Sequence, residues 1–323
     1  MGEQVDVRSD EPETASEGIL ELLRLRSFSD PRRGIAERFL TPTIGGARTV
    51  AVHSAPLGAP REDGWVLCHA FAMDQVNLQP FEVPLARRIS AAGFPVLRFH
   101  AQGFGDSELP TGHISVASQV GDAVEAVQIL REVAGVRRVG LFGARFGGAV
   151  AAMAAERTGA DALVTWDPVV SGRRYATRLA RLSSASELVT KGRAQIKGRN
   201  PMEVLDETGL LDVQGVPVTK DLFDAISRVD LKKDLSAFEG RSVVVQISKT
   251  EQPRGDLENF VAHLDELGES RLEVVVDHKA DQFGQPRLIG NGDGTKADTM
   301  SSLAESLIGG TARWCEELLG GAA

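Results

Sequence analysis

The sequence predicts an α/β protein: a mainly parallel, doubly wound sheet of about eight strands with helices on both faces. Three observations predict it. From about Gly34 onward, short apolar runs alternate with segments of helical periodicity, the pattern of a parallel sheet covered on both sides. The runs themselves, such as Trp65-Val66-Leu67-Cys68, are apolar without interruption, as expected of strands buried on both faces. Finally, Gly143-Ala144-Arg145-Phe146-Gly147-Gly148 follows one such run and opens an alanine-rich helix, which marks a tight strand-to-helix turn.

The elements follow in order. Ile35 to Leu40 and Arg48 to Ser54 read as an opening antiparallel pair around a Gly45-Gly46 turn. The Trp65 to Cys68 strand leads to a helix over about Leu78 to Ala92, then Gly93 and a strand from Pro95 to Phe99. A glycine-rich loop, Gln102-Gly103-Phe104-Gly105-Asp106-Ser107, comes next. Apolar residues at 116, 120, 123, 124, 127 and 130 have helical spacing within Ser115 to Val133. Arg138 to Phe142 is a strand, Gly147 to Arg157 a helix, and Ala162 to Trp166 a strand. From about 168 to 236 the alternation stops and Arg, Lys and Ser accumulate without strands of that quality. It resumes with Ser242 to Ile247, Leu257 to Leu267 and Leu272 to Val276, and a helix over Thr299 to Leu319 closes the chain. Gly290 to Asp298 reads as an exposed loop. The expected organisation is a disordered acidic arm over 1–18, a core of 19–167 and 237–323, and a helical cap over 168–236.

Composition narrows the function. The chain has 323 residues, 42 % hydrophobic and 25 % charged, with a net charge of −9, ordinary values for a globular protein. Without a basic run or a basic patch interleaved with aromatics, nucleic acid is not an expected partner. No stretch approaches the roughly 20 apolar residues of a membrane span. Met1 to Glu17 is acidic and polar, unlike a secretory signal, and Cys68 and Cys315 cannot build a disulfide framework, so a cytoplasmic location is expected. No Cys, His and carboxylate cluster has metal-ligand spacing, and Gly103-Phe104-Gly105 lacks the rest of a dinucleotide loop. Neither a metal nor another cofactor is expected.

The chemistry centres on the strand-to-helix turn. In a G-x-S-x-G nucleophile elbow the central residue sits on a strained backbone, and small residues two places before and after it keep strand and helix apart. Gly143 and Gly147 fill those places, and the centre is Arg145. Around it stand His69-Ala70-Phe71 after the third strand, the Arg98-Phe99-His100 to Gly105-Asp106-Ser107 loop, Trp166-Asp167-Pro168-Val169-Val170, and a late histidine, His278. On these residues the chain resembles the α/β-hydrolase superfamily from about residue 35 onward. Within it the chain is similar to the serine-aminopeptidase-like group and, more narrowly, to the exosortase-system-associated hydrolases.

The resemblance implies a Ser-His-acid triad in the order nucleophile, acid, histidine. Arg145 departs from it, because a guanidinium stays protonated and cannot accept an acyl group. Acyl-enzyme chemistry is therefore not expected. Two readings of Arg145 stand: a forked cation that anchors a substrate carboxylate or phosphate, or a degenerate elbow whose arginine salt-bridges the old triad acid. His278 occupies the family's histidine position, as a general acid or base or as a solvated loop residue. The acid position points to Glu251, with Asp256 as second choice. Asp167 is a separate candidate at the carboxyl edge of the sheet, or a turn residue before Pro168. Phe146, and Phe71 or Ala70, occupy the oxyanion-donor positions; His69 is expected to hold its loop, and Asp74 and Asn77 to approach the pocket. Asp106 and Ser107 belong to a family loop that holds neighbouring loops together, with Ser107 or Asp106 as an outside candidate nucleophile. Arg173, Arg174, Arg178 and Arg181 have near-helical spacing; Arg173 and Arg174 lie near the hinge as a rim for an acidic substrate, and the others read as a solvated face.

Three classes of function follow. One is an atypical enzyme acting on a small molecule or peptide with an anionic group, by isomerase, lyase, cyclase or direct-hydrolysis chemistry, in a biosynthetic pathway. The second is a catalytically inactive binding protein, and the third a hydrolase with another nucleophile. A homodimer is compatible with each.

Overall fold

Buried strands with one apolar residue after another need a layer on each side, and the computed structural model supplies both. It describes residues 26–191, 200–278, 280, 283 and 301–320, with 184–191 and 301 followed along the backbone alone. The arm expected over 1–18 and the loop expected over Gly290 to Asp298 lie outside the described residues.

The main sheet has nine strands: β1 (Ser27–Asp30), β2 (Ile35–Leu40), β5 (Ala51–Pro56), β6 (Asp63–Cys68), β7 (Val96–Phe99), β8 (Arg138–Ala144), β9 (Ala162–Trp166), β12 (Arg241–Ser248) and β13 (Ser270–Val276). Their spatial order is β1-β2-β5-β7-β6-β8-β9-β12-β13. From β7 to β13 every pairing is parallel, whereas β1, β2, β5 and β7 pair antiparallel. The short edge strand β1, Ser-Phe-Ser-Asp with three exposed residues, is the one that hydrophobic patterning gives no reason to expect. The Gly45-Gly46 turn joins a separate small hairpin, β3 (Thr43–Ile44) and β4 (Ala47–Arg48), so the second opening strand begins at Ala51 rather than Arg48.

Strand periodicity splits the core in two. Val66, Leu141, Leu163 and Val244 face the helices α2 (Val116–Ala134), α3 (Phe146–Thr158) and α8 (Gly255–Leu267). Trp65, Leu67, Phe142, Val164, Trp166, Val243 and Val245 face α1 (Met73–Ala91) and the closing helix α9 (Ser301–Gly320). Successive strand side chains point to opposite faces, so each strand feeds both layers. Ser115 caps α2 in a reciprocal box with Ser118, at the start of the segment whose apolar spacing placed that helix in the sequence. Helix α1 starts at Met73, not Leu78: in its first turn only Asp74, a carboxylate, is buried, and the buried apolar stripe begins at Leu78.

Between β9 and β12 the chain forms α4 (Gly172–Lys191), α5 (Pro201–Thr208), a hairpin of β10 (Leu210–Val213) and β11 (Val216–Thr219), α6 (Lys220–Arg228) and the single-turn α7 (Leu231–Asp234). The hairpin is an addition to the mostly helical cap expected over 168–236. Gln214 and Gly215, both at positive φ, make the two-residue turn that favours short hairpins, and Leu211, Val213 and Val218 bury the alternate positions. Gly172 N–H donates to the carbonyl of Val229 (2.8 Å), and Leu231 N–H donates to that of Val170 (3.1 Å), tying the two ends of this segment together.

One buried acid in the sheet–helix layer is testable through pH. Burial raises the Glu82 carboxyl from its ordinary 4.5 to about 7, against the pull of nearby Arg98 and the backbone N–H of Ala70. A carboxyl that holds its proton more tightly when folded opposes folding only at pH values where the unfolded chain has released that proton. Its cost is absent at acid pH and grows as pH rises from 4.5 through about 7. Glu82→Gln should match the parent in stability below about pH 4.5 and exceed it above about pH 7 by up to about 3 kcal/mol, measured by urea unfolding at both ends.

Candidate functional site

The site is built where β8 turns into α3. Arg145 takes φ 55° and ψ −122° at the helix N-cap, a region costly for a residue with a side chain. Its N–H donates to the Trp166 carbonyl at the end of β9 (2.8 Å), and its own carbonyl accepts from Gly148 and Val169 (both 3.1 Å). The flanking glycines are required by contact. A Cβ on Gly143 would lie 2.2 Å from the Gly147 carbonyl oxygen, and one on Gly147 would lie 2.4 Å from that of His69. Among the described residues only four non-glycines have positive φ, and three of them, Ala72, Arg145 and Asp167, end β6, β8 and β9 or the loop just after them. Strain is concentrated at the carboxyl edge of the parallel strands, where ligands of open α/β sheets assemble.

The Arg145 guanidinium lies among carboxylates. Its Nη1 donates to Asp167 Oδ2 (3.3 Å) and its Nε is 3.8 Å from Asp74 Oδ2. Asp74, in the first turn of α1, also receives a two-pronged contact from Arg178 on α4, both arms at 3.2 Å. Arg254, at the N-cap of α8, has Nη1 3.1 Å from Asp167 Oδ1, an ion pair whose angle does not make a hydrogen bond. Arg254 continues to Asp256 (3.3 Å), and Asp256 to Arg174 (3.3 Å). The result is an unbroken alternation, Arg174-Asp256-Arg254-Asp167-Arg145-Asp74-Arg178. It begins and ends on α4, one helical turn apart. Burial pushes the Asp167 carboxyl above the usual range, although Arg254 and Arg145 pull it down.

Aromatic packing fixes the surroundings. Tyr175 of α4 stacks on Phe146, with ring centroids 5.4 Å apart and planes inclined by 12°. Phe71 meets Phe146 and Phe104 edge-on, both at 5.9 Å. Phe146 is the first residue of α3 and its N–H therefore has no intrahelical partner. His69 lies beneath the Phe71 loop: its Nδ1 is 2.9 Å from the Ala70 carbonyl, and its Nε2 accepts from the Ala101 N–H at 3.2 Å. Desolvation lowers it to about 4, so the ring is neutral and serves to join two loops.

The remaining sequence candidates sit apart. Glu251 is exposed on the turn after β12 and bonds to no member of the arginine–aspartate chain, whereas Asp256 belongs to it. Arg173 is exposed and makes none of these contacts; Arg174, also exposed, and Arg178 make them. His278 follows β13 with its side chain 77 % exposed, its Nδ1 3.6 Å from Asp277, and without an ion pair or hydrogen bond to Arg145, Asp167 or Asp256. Ser107 Oγ accepts from the Leu109 N–H (3.3 Å), and Asp106 pairs with His100 (3.3 Å), so both close their own loop. Sequence reasoning passed over Arg254 and Tyr175, and read Arg178 as solvated. A helical wheel would have put Tyr175 and Arg178 near one face, but nothing in the sequence pairs Arg254 with Asp167.

A family model described as serine aminopeptidase, S33, matches residues 66–211, a span that includes the elbow, the His69-Ala70-Phe71 segment and Asp167. The chain is an α/β-hydrolase-fold protein. Solved structures agree on that fold at low identity. An esterase from Pyrococcus furiosus is 12 % identical with a TM-score of 0.56, over 91 % of this chain and 95 % of the esterase. DcsB, solved with its substrate analogue, is 16 % identical with a TM-score of 0.55, over 88 % and 100 %. Est1E from Butyrivibrio proteoclasticus, solved with ferulic acid bound, is 15 % identical with a TM-score of 0.52, over 76 % and 94 %. No curated protein matches the sequence. Among the described residues no helix of this α/β-hydrolase-fold protein is long and apolar enough to cross a membrane.

Two substitutions test this architecture. Gly147→Ala drives a methyl group into backbone and should lower unfolding free energy by about 2 kcal/mol or more, read from denaturant midpoints. Asp167→Asn leaves Arg145 and Arg254 without their shared anion and should cost about 3 kcal/mol; Asp256→Asn, at a more open pair, should cost less than about 1 kcal/mol in the same assay.

Proposed function

We propose that this α/β-hydrolase-fold protein has abandoned acyl-enzyme chemistry at its elbow and uses that position to recognise an anionic, carboxylate-bearing small molecule or peptide. The observation that carries the reading is the charge balance of the chain around Arg145. Four guanidinium groups alternate with three carboxylates, a surplus of one positive charge. The raised Asp167 carboxyl acts in the same direction, since any protonation of it enlarges the surplus. A substrate carboxylate would complete the alternation, and forked guanidinium donors suit its geometry. Arg145, Arg178 and Arg254 would hold the anion, with Asp74 and Asp167 keeping the forks oriented. The N–H of Phe146 and the Phe71 segment would face the reacting group, and Arg173 would lie on the approach.

With no nucleophile at the centre, the chemistry compatible with this site is proton transfer or direct attack of water, with His278 as the acid or base and Glu251 as its candidate partner. The exposure of His278 and its separation from the arginine chain favour a second reading: recognition of the anion without turnover.

Three measurements separate these. A fluorophosphonate probe should fail to label the protein; labelling abolished by Ser107→Ala would instead establish a hydrolase with another nucleophile. Arg145→Ser should weaken binding of a carboxylate ligand at least ~10-fold, about 1.4 kcal/mol, by calorimetry at low salt. His278→Ala should leave that binding intact and abolish turnover under the enzymatic reading. Binding without detectable turnover in the parent would establish the second reading. Unchanged affinity in both Arg145→Ser and Arg254→Ala would overturn anion recognition altogether.

A further inference from the structure

Tyr175 packs with Phe71, Phe104 and Phe146 beside Arg145, and of these four side chains it alone carries a polar atom. Its side chain is only 6 % exposed. The ring stacks on Phe146, and Arg178 Cζ lies 6.0 Å from its centroid. Among the described residues none hydrogen-bonds its hydroxyl, although buried tyrosine hydroxyls ordinarily find a partner. Nor is that hydroxyl sealed in. Ser90 Oγ and Thr165 Oγ1 are unpartnered and closed to water, whereas the Tyr175 oxygen keeps contact with solvent.

The hydroxyl lies at the Asp74 end of the arginine–aspartate chain. Burial and the Asp74 carboxylate make the phenol hold its proton more tightly than usual, and Arg178 and Arg145 oppose them. The Arg145 and Arg178 side chains are 19 % and 28 % exposed, so this end is open to a ligand. Guanidinium groups can only donate, whereas a phenol can both donate and accept. Tyr175 therefore suits a ligand hydroxyl, whichever way the ligand's proton turns. An ammonium in the same place would meet the surplus positive charge of the arginines.

We propose that Tyr175 makes the Arg145 site selective for hydroxycarboxylates: its hydroxyl hydrogen-bonds a ligand hydroxyl close to the carboxylate that Arg145 and Arg178 hold, an assignment that rests on the anion recognition proposed above.

The test uses the full chain, by calorimetry at low salt, with butanoate, 2-hydroxybutanoate, 3-hydroxybutanoate and 2-aminobutanoate as probes. At least one hydroxy acid should bind about 5-fold or more tightly than butanoate, the worth of one hydrogen bond, and 2-aminobutanoate no more tightly than butanoate. Tyr175→Phe keeps the stacked ring. It should bring the preferred hydroxy acid down to the affinity of butanoate and leave butanoate itself unchanged. The urea midpoint should also stay unchanged, because no internal hydrogen bond is lost. Tyr175 has no such role if neither hydroxy acid outbinds butanoate in the parent, if 2-aminobutanoate binds as tightly as the preferred hydroxy acid, or if the preference survives Tyr175→Phe. A lowered midpoint in Tyr175→Phe would likewise overturn it, by showing the hydroxyl bonded within the fold. Arg145→Ser distinguishes the two failures. If butanoate binding is insensitive to it, anion recognition itself fails; if butanoate binding depends on Arg145 while the preference is missing, only the role of Tyr175 fails.

Discussion

The structure around the site depends on one constraint: the close backbone approach at the elbow. Gly143 and Gly147 allow strand β8 and helix α3 to meet at a distance that no Cβ would tolerate, and the residue between them is forced into a positive φ. That geometry decides where the central side chain goes, whatever its chemistry. With arginine there, a long cation is directed at the carboxyl edge of the sheet, into surroundings where a bare charge is expensive. The protein answers with Asp167 at the end of the neighbouring strand and Asp74 at the start of α1. Both carboxylates are themselves buried, so each needs further cations, and Arg254 and Arg178 supply them. The alternating chain is the consequence of placing one guanidinium at a tight turn.

The same chain ties α4 to the sheet. Arg174 and Arg178 lie one helical turn apart, and their partners, Asp256 and Asp74, come from α8 and α1. The stacking of Tyr175 on Phe146 adds an apolar contact between those two ionic ones. Buried ion pairs add little net stability, because desolvation offsets most of the Coulomb attraction. Their effect is on geometry: each carboxylate lies between two arginines, accepting a hydrogen bond from one and pairing with the charge of the other, which restricts the direction of the forks. The anion recognition proposed for this site would benefit from such fixed donors, since their orientation is already set before a ligand arrives.

Some of this site was readable residue by residue. The glycine spacing announced the elbow, and the arginine at its centre made an acyl-enzyme at that position unexpected before any contact was known. Asp74 and Asp167 were chosen as candidates because they follow strands of the parallel sheet, and both lie against Arg145. Other assignments needed the third dimension. Glu251 and Asp256 are five residues apart on one loop and look equivalent in sequence. Only the start of α8 turns Asp256 toward Arg254 and leaves Glu251 in solvent. Likewise Arg173 and Arg174 are adjacent, but helical rotation of about 100° per residue sends them to different surroundings. Arg254 lies over a hundred residues from Arg145, and nothing local marks it.

By itself, the sequence determined the α/β class, the order of the sheet-and-helix elements and the identity of the residue at the elbow. These follow from apolar periodicity and glycine placement, which act over a few neighbouring residues. The tertiary structure decided which carboxylates meet Arg145 and which face of α4 closes over it. Those outcomes depend on distances between segments far apart in the chain. They are set by how strands β6, β8, β9 and β12 align their carboxyl ends, a property of the whole sheet that no local pattern of residues encodes.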